Sequence, residues 1–400
     1  MREKVLFLAL LGINFLVLVL QIKGLSIGYH EAQILYGDFS PLQFIISSSL
    51  HIFGENDYAL RIPMIFLHLF SAVLLYGISK HFVSRPNDRL WIVLIYVLLP
   101  GVTSAALVVD NAGLMIASLF LFVYVYVNYG RYALTLLPLF LMIDPSIAYL
   151  FVALTLYGIY KKEYLYSVVG SIFLAASIYI FGIRIGGSPA SHFLDVLGVY
   201  SAIFSPIVFL YLFYVLYRRM MAKEWDLIWM ISMSAFIVSL LLSFRQKVEV
   251  QSFAPFLLIA LPLAAQTFLH TYRIRLREFR RRYQILFYSA FVLLVVNVLA
   301  VFFNHYLYRF LDNPKRHFSY PMHIAKELST VLHNDHIRCI DAGDKKLQLR
   351  LRFYGITHCE DYRLEEVASI KGNKVTISYI NTPVYEAYVT KVNKNSSSFD

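Results

Sequence analysis

Residues 5–22 run for eighteen positions without a charged side chain, and similar runs recur along the first three hundred residues. A hydrocarbon core about 30 Å thick takes about 20 apolar residues per helix. In that medium every backbone polar group must be paired inside the structure, so the spanning elements are helices. Candidate spans lie near 5–22, 60–78, 90–108, 112–128, 132–143, 146–160, 164–182, 199–217, 226–243, 252–270 and 284–303. The fifth and sixth are short and separated only by Asp144-Pro145, so they read as two half-length spans or one broken helix. Composition agrees: 58% hydrophobic and 15% charged residues contrast with about 45–50% and about 25% in globular domains. Soluble enzymes, disordered chains and coiled coils are excluded. The first run is followed by no small-x-small cleavage site and reads as a retained helix.

The expected fold is therefore mostly α: a polytopic membrane protein with about eleven transmembrane helices and a small C-terminal α/β domain. Basic residues set its orientation. With the N-terminus cytoplasmic, the inside loops carry seventeen Lys and Arg, six of them between Arg273 and Arg282, and the outside loops carry five. The net charge of +11 is thus concentrated at expected cytoplasmic anchors near anionic headgroups, and nucleic acid is not an expected partner. The expected domains are 1–305, embedded in the membrane, and 306–400, on the outer face. In the latter, Tyr320 to Leu332 has helical apolar spacing, while His336 to Ile340 and Lys374 to Ile380 alternate like strands. Cys339 and Cys359 both lie there. In an oxidising compartment they are placed to pair, and two free thiols is the alternative.

Ionisable groups near membrane depth are costly, about 2.5–3.5 kcal/mol on insertion scales. Yet Glu31, Asp38, Asp110, Asp144 and Glu249 gather in four expected outer loops, where the scarce bases are Arg61, Arg184, Arg245 and Lys247. Such a set suits a charged lipid headgroup and a polar substrate. Each residue also has a plainer reading. Asp110 and Glu31 are placed to cap helices, Arg61 to snorkel from a helix start, and His30 to be a hydrogen-bonded interface residue.

Taken in order, these residues form a pattern. Tyr29 to Pro63 reads YHEAQILYGDFSPLQFIISSSLHIFGENDYALRIP, with Ser40-Pro41-Leu42, Ile52-Phe53-Gly54 and Ala59-Leu60-Arg61-Ile62-Pro63 as its landmarks. Leu99-Pro100-Gly101 followed by Asp110-Asn111-Ala112, then Gln251-Ser252-Phe253-Ala254-Pro255 and Leu261-Pro262, continue it. The series resembles the dolichyl-phosphate-mannose protein mannosyltransferase-like family, which includes the lipid A aminoarabinose transferases, within the C-type glycosyltransferases. It covers most of residues 1–305. The resemblance implies a sugar taken from a polyprenyl-phosphate-linked donor and given to a lipid, glycan or protein acceptor on the outer face of a bacterial inner membrane. It places Glu31 at the second member of the family's first-loop acidic pair, Asp110 at the second-loop acid and Arg61 at the family arginine. Arg245 and Lys247 are the expected phosphate-binding cations beside it. No metal ligand set is fixed, although a divalent cation is compatible with the chemistry.

The sequence departs from the family at one decisive position: the first acid of the pair is His30. Three readings follow: His30 is the base, since imidazole accepts protons near neutral pH; Glu31 takes that role; or the protein is a non-catalytic scaffold. The late R-Y of the pattern is also replaced, by Gln251-Ser252. The competing class is a transporter or flippase of lipid-linked sugar, for which inverted repeats and midplane charges are the expected signs. The sequence shows no repeat, and Asp144-Pro145 is the one candidate midplane break.

Overall fold

The computed structural model describes residues 2–182, 192–311, 313–317, 319–366, 373–379 and 382–392. Arg184, Ile380 and the 394–400 tail lie outside these described residues. Five helices are long and apolar enough to cross a membrane: Arg2–Ile22, Asp57–Phe82, Asn111–Phe140, Tyr164–Phe181 and Arg277–Phe302. Three further pairs, Pro86–Val97 with Pro100–Leu107, Phe193–Phe204 with Pro206–Met221, and Val250–Leu258 with Leu261–Ile274, pass the same test but are bent by 64°, 108° and 47°. That gives up to eight spans among the described residues where about eleven were expected. Proline accounts for the bends. It lacks an N–H and its ring clashes with the carbonyl four residues back, so a helix stops before it and a new one starts on it. Pro100, Pro206 and Pro262 each stand in the first two positions of the second helix.

The candidates near 132–143 and 146–160 also resolve locally. The first becomes a 3₁₀ segment, Gly130–Leu136, and a single turn, Leu137–Phe140. Asp144 then caps a 3₁₀ turn by accepting from the Ser146 N–H and hydroxyl at 2.8 and 2.6 Å. The Ala148–Lys161 helix follows and folds back against Tyr164–Phe181. Gly158 permits this hairpin: a Cβ there would lie on the backbone of Ser167.

The chain forms two compact units. One comprises Met1–Leu16, Met64–Ala106 and Asn111–Val298; the other comprises Val17–Pro63, Leu107–Asp110 and Leu299–Asp400. The expected split into 1–305 and 306–400 thus differs from this one, because segments around residues 31, 57 and 109 cluster with the C-terminal hundred residues. The first unit has a continuous aromatic and aliphatic core, including Tyr96, Phe120, Phe151 and Tyr200. Its outward side chains are apolar too: Val5, Leu8, Ile13 and Leu16 are more than half exposed, as a lipid-facing helix requires.

In the second unit, strands β1 (Tyr362–Glu365), β2 (Asn373–Tyr379) and β3 (Thr382–Lys391) form an antiparallel sheet in the order β1-β3-β2. Helices Ala325–Asn334 and Lys345–Phe353 complete its core through Leu328, Leu332, Leu347 and Leu351. The strand expected at Lys374 to Ile380 is β2, as far as it is described. The one expected at His336 to Ile340 is not a strand; that segment makes isolated bridges, Cys339 with Thr357 and Asp341 with Arg363 just beyond. Cys339 and Cys359 are disulfide-bonded, with Cα atoms 5.4 Å apart. Closing a loop of this size removes about 3 kcal/mol of denatured-state entropy. Cys339→Ser should therefore destabilise the unit by about that amount, read as a lower denaturant midpoint of Trp-independent circular dichroism. No shift would show the bond to be energetically idle.

Three imidazoles are packed inside this unit. His323 is buried, shares a 2.8 Å hydrogen bond with the Tyr308 hydroxyl, and lies with its ring centroid 4.2 Å from that of His305. His317 Nε2 donates to the Asn304 carbonyl at 3.0 Å, while its Nδ1 accepts from the Ser319 N–H at 3.1 Å. Burial, reinforced by His305 and His317, holds His323 down at about 3. Burial also lowers His305 and His317 from the ordinary 6.5. Each histidine binds fewer protons folded than unfolded. Its contribution is therefore full above about pH 6.5 and is lost as the pH falls towards the folded values, by at most about 1.4 kcal/mol per pH unit each. Amide exchange in β2 and β3, corrected for intrinsic rates, should speed up between pH 7 and pH 5. Equal protection at both would refute this.

Candidate active site

The second unit brings together the segments that carry the first-loop and second-loop acids. The Tyr29–Tyr36 helix begins after Gly28, and Glu31 occupies its third position. From there a carboxylate reaches back to the first unpaired amide of the helix, the capping-box arrangement. Glu31 Oε2 accepts from the Gly28 N–H at 2.6 Å and from Arg61 Nη2 at 3.0 Å, and Oε1 accepts from the Val109 N–H at 2.9 Å. Glu31 is 1% exposed and Arg61 0%. Arg61 also donates through Nε to the Leu107 carbonyl at 2.8 Å and through Nη2 to the Ser26 carbonyl at 2.9 Å. Its Nη1 lies 3.6 Å from Asp57, one helical turn earlier.

This buried ion cluster continues into the C-terminal residues. Tyr354 donates its hydroxyl to Asp57 at 2.8 Å and accepts from the Ile27 N–H at 2.9 Å. Burial first and the Asp57 charge second push the Tyr354 phenol up, so it remains a donor. Lys326 adds an ion pair to Asp57 at 2.8 Å. A charge buried this deeply is tolerated only when paired and fully hydrogen-bonded, and the cluster meets that condition for Glu31 and Asp57.

On top of it sits an accessible pair. His30 precedes Glu31 and Asp110 follows Val109, so the Glu31–Val109 bond holds the two neighbours against each other. His30 Nε2 lies 3.5 Å from Asp110 Oδ1, with the side chains 61% and 23% exposed. An imidazole held by a carboxylate is the standard arrangement for accepting a proton and sharing the resulting charge. Two donor atoms at this spacing also suit a divalent cation, but the usual complement is six or more oxygens, so substrate phosphate would have to supply the rest. Elsewhere among the described residues, one metal-like group, Cys339, Cys359 and Asp361, is discounted because its sulfurs are bonded to each other.

The six residues expected at the site therefore separate by role. His30 and Asp110 are paired and accessible. Glu31 and Arg61, expected as an acid of the chemistry and a phosphate ligand, have their polar atoms turned to the protein and lie sealed beneath. Arg245 and Lys247 are exposed and belong to the other compact unit. Sequence reasoning missed Asp57, Lys326 and Tyr354. Asp57 was legible, since a carboxylate four residues before an arginine pairs with it on a helix. Tyr354 carried no local signal.

Two landmarks of the pattern, at 40–42 and 52–54, bound one helix. Ser40 caps the Pro41–Phe53 helix by accepting from the Gln43 N–H at 3.1 Å, and Gly54 ends it at φ +80°. The fold is thus one of many apolar helices with a small three-stranded C-terminal sheet. Among the solved structures that share it are two of ArnT from Cupriavidus metallidurans. The one bound to undecaprenyl phosphate superposes with a TM-score of 0.55 at 11% identity, covering 98% of each chain. The apo form gives 0.53 at 11%, covering 96% of this chain and 97% of that one. No family model matches the sequence, and no curated protein does.

Proposed function

We propose that this chain is an integral membrane glycosyltransferase that moves a sugar from a polyprenyl-phosphate-linked donor to a lipid, glycan or protein acceptor. We place the reaction at the outer face of a bacterial inner membrane, with the N-terminus cytoplasmic and residues 306–400 periplasmic. The observation that carries the reading is the exposed His30–Asp110 pair mounted on the Glu31–Arg61 cluster. The fold shared with a structure holding undecaprenyl phosphate supports the donor class.

The chemistry follows from the pair. The acceptor's oxygen or nitrogen forms a bond to the anomeric carbon as the bond from that carbon to phosphate oxygen breaks. His30 takes the acceptor's proton, and Asp110 holds the ring and offsets its new charge. The polyprenyl phosphate leaves with the bonding electrons, a charge that a cation beside it would offset. Glu31 and Arg61 act by fixing where His30 and Asp110 stand.

The test is purified protein in lipid nanodiscs with a panel of polyprenyl-phosphate pentoses and hexoses. Release of polyprenyl phosphate coupled to sugar transfer is the expected result. Movement of intact donor between leaflets without cleavage would favour the flippase reading. No cleavage with any donor, together with His30→Asp remaining inert, would favour the scaffold.

A further inference from the structure

The first unit contains an apolar cavity of its own. It lies between helices Pro86–Val97, Pro206–Met221, Leu261–Ile274 and Arg277–Phe302, with a volume of about 270 Å³. Trp91, Phe268, Phe287 and Phe291 wall it, the Trp91 indole meeting the Phe287 and Phe291 rings edge-on at 5.3 and 5.5 Å. Its volume is near the lower end of ligand pockets, about 300–1,000 Å³, and suits one alkyl chain. Trp91, Leu286 and Tyr288 at its lip are 39%, 46% and 60% exposed, so the cavity opens sideways rather than being sealed in the core.

One end is polar. Asp88, Tyr272 and Gln284 line it. Asp88 is paired with Arg273, and Gln284 donates to the Tyr272 hydroxyl at 2.9 Å. The elbow joining the last two helices is built from arginines at this end. Arg280 donates to the carbonyls of Arg275 and Arg273 at 2.8 and 3.0 Å, and Arg275 lies over the Tyr283 ring at 4.2 Å. Arg273, Arg275 and Arg280 are thereby committed to the elbow itself. Arg277, Arg281 and Arg282 are exposed, and none has an ion pair among the described residues. An apolar slot thus ends at a surplus of positive charge.

We infer that this is a binding site for one anionic phospholipid, an acyl chain occupying the cavity and its phosphate resting on the arginine elbow. The charge complementarity and the sideways opening fit an anionic lipid drawn from the surrounding bilayer. The site is independent of the proposed sugar transfer, so either can fail without the other.

The experiment is lipid retention by the full chain, exchanged into nanodiscs of defined composition, extracted in mild detergent and weighed by native mass spectrometry. Phosphatidylglycerol, phosphatidylcholine with the same chains, and undecaprenyl phosphate are the probes. One phosphatidylglycerol per chain should be retained in preference to phosphatidylcholine. Removing two charges by Arg281→Gln with Arg282→Gln should reduce that preference by about 30-fold, since each basic residue near an anionic surface contributes about fivefold. Ala265→Phe, which fills the cavity, should abolish retention of either phospholipid while leaving the melting temperature of lipid-free protein unchanged. If that variant does not fold, Ala290→Met serves the same purpose from the opposite wall. Equal retention of the two phospholipids, no effect of cavity filling, or preferential retention of undecaprenyl phosphate would each overturn the assignment.

Discussion

Arg61→Met should cost about 3–5 kcal/mol of stability, because it leaves Glu31 buried without its cation and leaves Asp57 paired with Lys326 alone. Both carboxylates are almost wholly covered, so water cannot replace the lost partner without opening the structure. In a chain of this size the expected fall in thermal midpoint is on the order of 10 °C. The same substitution should loosen the C-terminal residues, since Asp57 is also the acceptor for Tyr354 and Lys326. Faster exchange at the Val109 and Gly28 amides would locate the damage, as both donate to Glu31. A combined Arg61→Met and Glu31→Met variant should recover part of the loss, because it removes the orphaned carboxylate together with its cation. A midpoint unchanged in the single variant would mean the cluster contributes nothing and the support role is mistaken.

The second large effect is on activity. His30→Ala should lower turnover by about 10²–10⁴-fold, the usual contribution of a positioned acid or base, with the melting temperature kept because the side chain is largely exposed. Asp110→Asn should lower turnover too, and should do so without weakening donor binding, since its place is beside the imidazole. His30→Asp should preserve or raise activity by restoring the acid that the resemblance implies, and should remove the imidazole limb of the pH–rate profile. Glu31→Gln separates the two roles: a loss of activity that tracks a loss of stability marks a support, whereas full stability with no activity would return the base to Glu31.

Much of this molecule was legible from residue order. Runs of apolar residues determined the membrane class, because no water-soluble interior can hold so much of the chain. Ser40-Pro41 and Phe53-Gly54 determined the ends of one helix, because capping and left-handed termination depend on the residues themselves. Arg61 and Glu31 were visible as charges that needed partners. The strand at 373–379 could be read from its alternation, but β3, which pairs with both its neighbours, could not, since pairing gains its energy from chain far away.

What the sequence left open was decided by packing over long separations. Continuous hydropathy across Pro100, Pro206 and Pro262 suggested single spans, and how far each bends, from 47° to 108°, depends on the helices packed around it. Local order could not say whether Glu31 faces substrate or protein. That was settled by Val109, seventy-eight residues away, and by Arg61, thirty away, whose donors occupy both its oxygens. Tyr354 reaches the same cluster across 297 residues. Helix ends and membrane preference are local properties of a chain, whereas the facing of a buried charge is fixed by whichever distant donors the fold brings to it.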